Sequence, residues 1–526
     1  MTVLFQNGII HAGEDGKEVF SHMTVSGGVI TGLFPDRPEG KFARVVDLRG
    51  RHVYPCLIDA HVHLLLTVAV MAMGFSVCRI TPEGISPNTM AGVEQRIREY
   101  AAGQKKNGIV ACNNFILTGV RERRMPGKQE LDDWGGGRPV VVYNIDGHST
   151  ALSSAMLELV GMDPEKSSGV LQGEENERVQ GRLMDLVARR MTPALLAKGI
   201  ANFQNACADY GISVVGALEG NGDSPKDATT GLIARLARHM DVGVRLYPQY
   251  RDLQRVKPFL KWMSVPRVGG CGDWEMDGSV GSHSAAMELP YRDTGTGAEC
   301  YFSQQQVDAL VEQANRAGWQ IASHDIGSRA IRRLTEALDK VTPNGLHRIE
   351  HCEFPDEQTA ARLESGKYAL VMQPGYSWID KRYLHTYRDF LPEQVLSNMK
   401  LRSFYEKGVC LCGSSDSPVQ ELDPWLQMLG MVEFYVESES ITVEQAFRCY
   451  TANAARAIRE EGLRGTLEVG KAADFFTAGE DLFSLPPERV VAFRPEQTFY
   501  GGKPFRRKKG TLGELLAMLL TKPKKI

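Results

Sequence analysis

Apolar residues come in two textures along this chain, and each predicts a different element. Between residues 200 and 460, short apolar runs at 214–218, 242–246, 319–323, 369–372 and 409–412 alternate with stretches of helical period at 304–317, 328–338 and 443–458. Strands buried on both faces read as continuous runs, and a repeated strand-then-helix order predicts a parallel sheet. Residues 1–54 differ: 3–5, 23–25 and 29–33 are short alternating segments between Gly and Asn turns, the texture of a small β unit. The same texture returns at 465–470 and 474–477. Neither end is large enough to bury a core alone, so the two are expected to share one sheet domain.

Residues 75–200 break the alternation. They are too long for one crossover and carry their own apolar runs at 109–112 and 140–143, which predicts an inserted subdomain. Within it, 169–181 is rich in Glu and Gln and reads as a solvated loop. Near the end, Arg506-Arg507-Lys508-Lys509 precedes a short apolar stretch at 512–520. That stretch reads as an amphipathic helix, packed on its own domain or on a second copy in a homodimer, and it is too short to hold a membrane.

Candidate chemistry sits at the ends of the runs. The apolar segment 53–58, Val-Tyr-Pro-Cys-Leu-Ile, reads as a buried strand and continues into Asp59-Ala60-His61-Val62-His63. Side chains two apart on a strand share a face, so His61 and His63 can reach one metal ion, with Asp59 as a carboxylate on the same face. His324, His351, Asp416 and Glu219 each stand at or just past the end of a predicted strand. One strand-end histidine is usually a hydrogen-bonded structural residue; the recurrence points to a closed (β/α)8 TIM-type barrel, whose site lies at the C-terminal ends of its strands. Asp273, Glu275 and Asp277 occupy alternate positions and share a face if extended. His148 ends a strand of the insertion and His283 follows the carboxylate run, which makes both candidates for substrate contact. Tyr291, Tyr376 and Trp378 hint at a partly apolar substrate. His11, His22, His52, His239, His347 and His385 have no such placement and read as ordinary.

The domain plan is then a composite β-sandwich from 1–54 with 460–505, a barrel over 55–459 with 75–200 inserted after its first strand, and a basic C-terminal helix or tail over 506–526. A length of 526 residues accommodates that plan. With 61 basic against 64 acidic residues, the charge offers no nucleic-acid or membrane surface as the main partner, and the expected partner is a small-molecule substrate. The N-terminus lacks a basic region followed by an apolar stretch of signal length, and a cytoplasmic location is expected. Ten cysteines lie scattered without a Cys-x-x-Cys, which argues against zinc-finger and disulfide scaffolds.

In order along nearly the whole chain, 55–63, Asp146-Gly147-His148-Ser149, Asp277-Gly278-Ser279-Val280-Gly281-Ser282, 324–330, Arg348-Ile349-Glu350-His351, 413–419, Tyr450-Thr451-Ala452-Asn453-Ala454-Ala455 and 470–474 resemble the amidohydrolase superfamily. The resemblance is to its amidohydrolase-3 branch, which contains N-substituted formamide deformylases. It implies that His61 and His63 hold one metal, that His324 and His351 serve the same ion or a second, and that Asp416 is both ligand and proton shuttle. The implied cofactor is a divalent metal, zinc first, with one or two ions per chain. Such an ion polarises a carbonyl and acidifies water to a pKa of about 7. The implied activity is hydrolysis of an amide or other non-peptide C–N bond. A metal-dependent isomerase, decarboxylase or esterase on the same barrel is the enzymatic alternative, and a ligand-binding protein without turnover is the third reading.

Three departures from the branch stand out. Asp273 occupies the position where much of the branch has a metal-bridging lysine, and it is expected to be a ligand in its place. Cys56 replaces a glycine after Pro55, and Ser328 replaces an aspartate. His148, Glu219, His283 and Tyr376 are expected to contact substrate, and His148 also the transition state.

Overall fold

The five central apolar runs all become strands, and three more join them. In a computed structural model of the chain these are β1 (Leu57–Val62), β2 (Ile212–Glu219), β3 (Gly243–Pro248), β4 (Arg267–Glu275), β5 (Gln320–Asp325), β6 (His347–His351), β7 (Tyr368–Met372) and β8 (Cys410–Gly413). The structure describes residues 1–73, 75–81, 84–105, 108–145, 147, 149–220 and 227–526, with the backbone alone at 80, 81, 174, 177, 180, 184, 185, 187, 188, 190, 228 and 271–273. Every pairing among the eight is parallel, in the orders β3-β2-β1 and β4-β5-β6-β7-β8. All residues of β1, β2, β5, β6, β7 and β8 are buried, and the apolar runs within β2, β5, β7 and β8 accordingly show no polar alternation. Val62 bridges Ser417 just past β8, where the Asp416 N–H donates to the His61 carbonyl at 2.9 Å and the His63 N–H to the Ser417 carbonyl at 2.8 Å.

The run expected as one strand from 53 into the histidines is divided. His52–Pro55 pairs antiparallel with Phe475–Ala478 in another sheet, β1 begins at Leu57, and the chain enters the helix Leu64–Met73 directly after His63. Cys56 donates its N–H to the Asp474 carbonyl at 3.0 Å and Leu57 to the Gly211 carbonyl at 2.8 Å, so consecutive peptides bond to different layers. Likewise the helical stretch 443–458 breaks at Thr451 into Val443–Tyr450 and Ala452–Ala457. The segment 465–470 forms no strand; its Gly465 and Gly470 take φ of +93° and +95°.

Residues 75–190 build a sheet of their own, with Val110–Phe115 parallel to Val140–Asn144, and Ser149–Leu152 and Val170–Gln172 added antiparallel. Reading 169–181 as a solvated loop is corrected, because Val170–Gln172 is a strand and Gly173–Arg190 a helix. Val179, Leu183 and Leu186 repeat at helical spacing and pack with Val141, Leu152 and Leu171.

The chain ends meet in a six-stranded sheet ordered Lys503–Pro504, Gln497–Tyr500, Phe475–Ala478, His52–Pro55, Ile9–Ala12 and Glu18–Phe20. A four-stranded sheet of Val29–Phe34, His22–Ser26, Thr2–Gln6 and Arg44–Asp47 joins it through Phe5, whose ring lies 5.1 Å from Phe475 and 5.7 Å from Phe499, both edge-on. The final helix, Leu512–Leu519, packs against the helix Pro193–Tyr210 of its own chain and leaves Leu512, Leu516 and Leu520 exposed. Among the described residues, no helix is long and apolar enough to cross a membrane.

Glu460 ties these layers together. Its buried carboxylate accepts from Arg245 of β3 at 2.5 and 2.8 Å and from Arg464 at 2.8 Å; Arg267 of β4 stands 3.7 Å away, and Arg464 also reaches Asp474 at 3.0 Å. Burial opposes the charge, but Arg245, Arg464 and Arg267 outweigh it and hold the carboxyl down to about 2, against an ordinary 4.5. A carboxyl depressed by folding stabilises above its unfolded value and loses that contribution as pH falls through the folded one. Glu460→Gln is therefore expected to cost about 3–5 kcal/mol in urea unfolding at pH 7, by stranding buried guanidinium groups. The deficit should shrink between pH 4.5 and about 2. Equal unfolding midpoints for mutant and wild type at pH 7 would remove Glu460 as the tie.

Candidate metal centre

The parallel order delivers side chains from several strands to one end of the sheets. His61 lies near the end of β1 and His63 just past it, His324 lies near the end of β5, His351 closes β6, and Asp416 follows β8. The Nε2 atoms of His61 and His63 stand 3.1 and 3.2 Å from the same oxygen, Oδ1 of Asp416. His61, His351 and Asp416 each offer a ligand atom, all within 4.8 Å of one another. The ring of His351 is 5.3 Å from that of His61 and 4.3 Å from that of His324.

Hydrogen bonds on the far side of the rings fix which nitrogen faces inward. Nδ1 of His61 is 2.8 Å from Oε2 of Glu350, and an ionised carboxylate can only accept, so the ring donates from Nδ1 and carries its lone pair on Nε2. Nδ1 of His351 is 2.7 Å from Oε1 of Gln373. The Gln373 amide NH2 donates to the Val371 carbonyl at 3.3 Å and to Ser414 Oγ at 2.9 Å, which leaves its oxygen for His351. Two imidazole lone pairs and a carboxylate oxygen converging in a buried space repel one another unless a cation lies between them. The donor set fits a divalent metal.

Glu350 is itself braced. Arg348 donates to both of its oxygens at 2.8 Å, and the same guanidinium donates to the Ala60 carbonyl of β1 at 2.8 Å. Burial opposes ionisation of Glu350, but Arg348 and His61 overcome it and hold the carboxyl below its ordinary value. Gly216 of β2 leaves room for this contact, since a Cβ there would lie 2.0 Å from the Ala60 oxygen and 3.3 Å from Arg348 Nη1. His351 and Asp416 both adopt left-handed backbone, with φ of 67° and 58°, a conformation that costs a non-glycine residue roughly 1–2 kcal/mol.

The remaining predicted residues fall in different places. Tyr376 donates its hydroxyl to Oδ2 of Asp416 at 3.3 Å. Glu219 ends β2, accepts the Leu65 N–H at 3.1 Å at the start of the helix Leu64–Met73, and is pushed up by burial to about 7 while His63 pulls it down. Asp59 accepts the N–H of His61 at 3.3 Å and of Ser415 at 3.0 Å, bracing β1 against the segment after β8. Asp277 is taken up by backbone, accepting from Ala286, Ile326 and Gly327 at 2.8, 2.9 and 2.8 Å, while Glu275 lies buried in register with His324. His283 bonds Asp293 at 2.8 Å with its ring 4.2 Å from Phe390, and Tyr291 is buried with its hydroxyl on the Ala285 carbonyl. His148 and the side chain of Asp273 lie outside the described residues.

Sequence reasoning passed over the roles of Glu350 and Gln373. A signal for the first was present: Arg348 and Glu350 stand two apart in a strand otherwise buried, where charged groups need partners. Gln373 carried none.

A model of the amidohydrolase family matches residues 44–505. The chain belongs to the amidohydrolase family. Hydrolysis is therefore its class of activity and a divalent metal its class of cofactor, in agreement with the donor set. Similar proteins include YtcJ of Bacillus subtilis, 22% identical over 96% of this chain and 99% of that one. The N-substituted formamide deformylase of Arthrobacter pascens is 25% identical over 84% of this chain and 85% of its own. An uncharacterized metal-dependent hydrolase from Pyrococcus horikoshii shares the fold, with a TM-score of 0.71 at 19% identity over 93% of this chain and 99% of that one. In this amidohydrolase, Glu350→Gln is expected to cost about 3–5 kcal/mol by stranding Arg348, and to weaken metal binding about 10–100-fold by releasing the His61 tautomer. Chelator competition measures the second effect, and wild-type affinity in the variant would show that Glu350 does not set the ligand.

Proposed function

We propose that this amidohydrolase cleaves an amide or other non-peptide C–N bond of a small molecule, at the mouth of a closed (β/α)8 barrel. The observation that carries the reading is Asp416, whose Oδ1 is approached by two imidazole nitrogens at 3.1 and 3.2 Å while Oδ2 accepts from Tyr376. One carboxylate then serves as ligand through one oxygen and is oriented through the other. Support for closure comes from eight parallel strands with a bridge between Val62 and Ser417. Around the barrel over 55–459, the proposed plan keeps 75–200 as an insertion, 1–54 with 460–505 as the composite β-sandwich, and 506–526 as a basic tail.

His61, His63, His324, His351 and Asp416 form the proposed ligand set, with Asp273 added on its sequence position. Zinc suits so nitrogen-rich a set. When bound, the ion supplies Lewis-acid polarisation of the scissile carbonyl and acidifies water. Asp416 takes the proton of the attacking water and delivers it to the leaving amine, whose departure otherwise requires a poor anionic leaving group. Tyr376 holds the carboxylate in the rotation that this transfer needs. Glu219, buried beside His63, is retained as a polar contact at the site, and His148 on its Asp-Gly-His context alone. His283, bonded to Asp293, is left out of the proposed contacts.

N-substituted formamides are the first substrates to assay, given the relative of that name. Asp416→Asn is expected to lower kcat by about 10²–10⁴-fold on whichever amide is turned over, with metal still bound through the histidines. Near-normal turnover would remove Asp416 as proton shuttle. Metal content per chain in wild type and Asp273→Ala tests the residue: loss of an ion supports Asp273 as a ligand, and an unchanged content excludes it. A metal-replete protein inert toward amides, formamides and esters alike would favour the ligand-binding reading.

A further inference from the structure

His11 and His52 read as ordinary in the sequence, yet the fold gathers them with a carboxylate from the far end of the chain. Ile9 pairs with His52 in parallel register, so His11, two residues on, shares the face that His52 occupies. Ala478 pairs with His52 on its other side, and Asp481 follows three residues later. Nε2 of His11 is 2.9 Å from Nδ1 of His52, which is 4.0 Å from Oδ1 of Asp481; all three ligand atoms lie within 4.8 Å of one another.

The ring states favour a cation here. Nδ1 of His11 is 3.1 Å from the Gly16 carbonyl, which can only accept, so His11 carries its proton on Nδ1 and points the Nε2 lone pair at His52 and Asp481. A backbone carbonyl on the outer nitrogen is the usual support of a metal-ligating histidine. Asp481 is held in place by the Phe483 N–H at 3.1 Å, the Ser484 hydroxyl at 2.7 Å and the Tyr54 hydroxyl at 2.8 Å, and the Tyr54 ring stacks flat on His11 at 4.4 Å. A cleft opens beside His11 and is lined in part by Glu14, Asp15 and Glu444.

We propose that His11, His52 and Asp481 form a second metal site, separate from the catalytic centre, that binds an imidazole-preferring divalent ion of the zinc class and ties residues from both chain ends. Tetrahedral ligands at about 2.0–2.1 Å stand roughly 3.3 Å apart, so on binding the two nitrogens move apart and the carboxylate moves in toward them. Water completes the coordination from the cleft.

The test uses the full chain stripped with chelator and titrated with Zn²⁺, comparing wild type, His52→Gln, Asp481→Asn and His61→Ala. The proposal expects His52→Gln and Asp481→Asn each to bind one equivalent fewer than wild type while keeping hydrolase activity after Zn²⁺ is restored. It also expects His61→Ala to retain a Zn²⁺-dependent rise in Tm that disappears in the His61→Ala/His52→Gln double variant. Equal stoichiometry in wild type and His52→Gln would overturn it, leaving the two rings a hydrogen-bonded pair. Should His61→Ala fail to fold, the stoichiometry of His52→Gln and Asp481→Asn decides the matter alone.

Discussion

Glu350 stands fully buried in the middle of a sheet, accepting from Arg348 on one side and from His61 on the other. An isolated carboxylate in that position would be neutralised, because removing an unpaired charge from water costs several kcal/mol. It stays ionised because a guanidinium of the same strand meets both of its oxygens. That guanidinium also holds the Ala60 carbonyl, so one ion pair sets the distance between β1 and β6 and the orientation of the ring that β1 presents. Fold and site share this constraint. The Gly216 clearance, the proton on His61 Nδ1 and the approach of Nε2 to Asp416 all require Arg348 and Glu350 where they are.

The proposed ligands at strand ends depend on a second constraint, the direction in which the backbone turns once a strand is over. Both His351 and Asp416 sit in left-handed conformation without being glycine. Neighbouring backbone bonds hold them there: Cys352 donates to the Asp325 carbonyl at 2.9 Å and Asp416 to the His61 carbonyl at 2.9 Å. Such positions cluster where function requires a side chain to point against the local preference of the chain. Here they turn a histidine and an aspartate toward the same few cubic ångströms.

These constraints explain which parts of the molecule the sequence could disclose. Continuous apolar runs announce strands buried on both faces, because no solvent face interrupts them, and β2, β3, β5, β7 and β8 were legible for that reason. His61 and His63 were legible as a pair because period two is a property of any strand. The break at Cys56 was not, since it depends on Asp474 and Gly211 accepting from adjacent peptides, residues more than 150 positions away. The helix at 173–190 was hidden by its charged composition, although Val179, Leu183 and Leu186 repeat at helical spacing. His11 and His52 looked ordinary because their common feature is a sheet register linking residue 9 to residue 52, on which no local pattern bears.

The same device recurs at His61, His351 and His11. An acceptor at Nδ1 commits Nε2 to the ligand role, and the acceptor grades from a carboxylate for His61, through an amide oxygen for His351, to a backbone carbonyl for His11. A charged acceptor raises the basicity of the ring more than a neutral one does. His61 should therefore be the strongest nitrogen donor of the three, and its partner Arg348 keeps Glu350 from drawing the proton away altogether. A site meant to bind its ion firmly and acidify water gains from that gradation. One that braces the two ends of a chain needs only the weaker, neutral form found at His11.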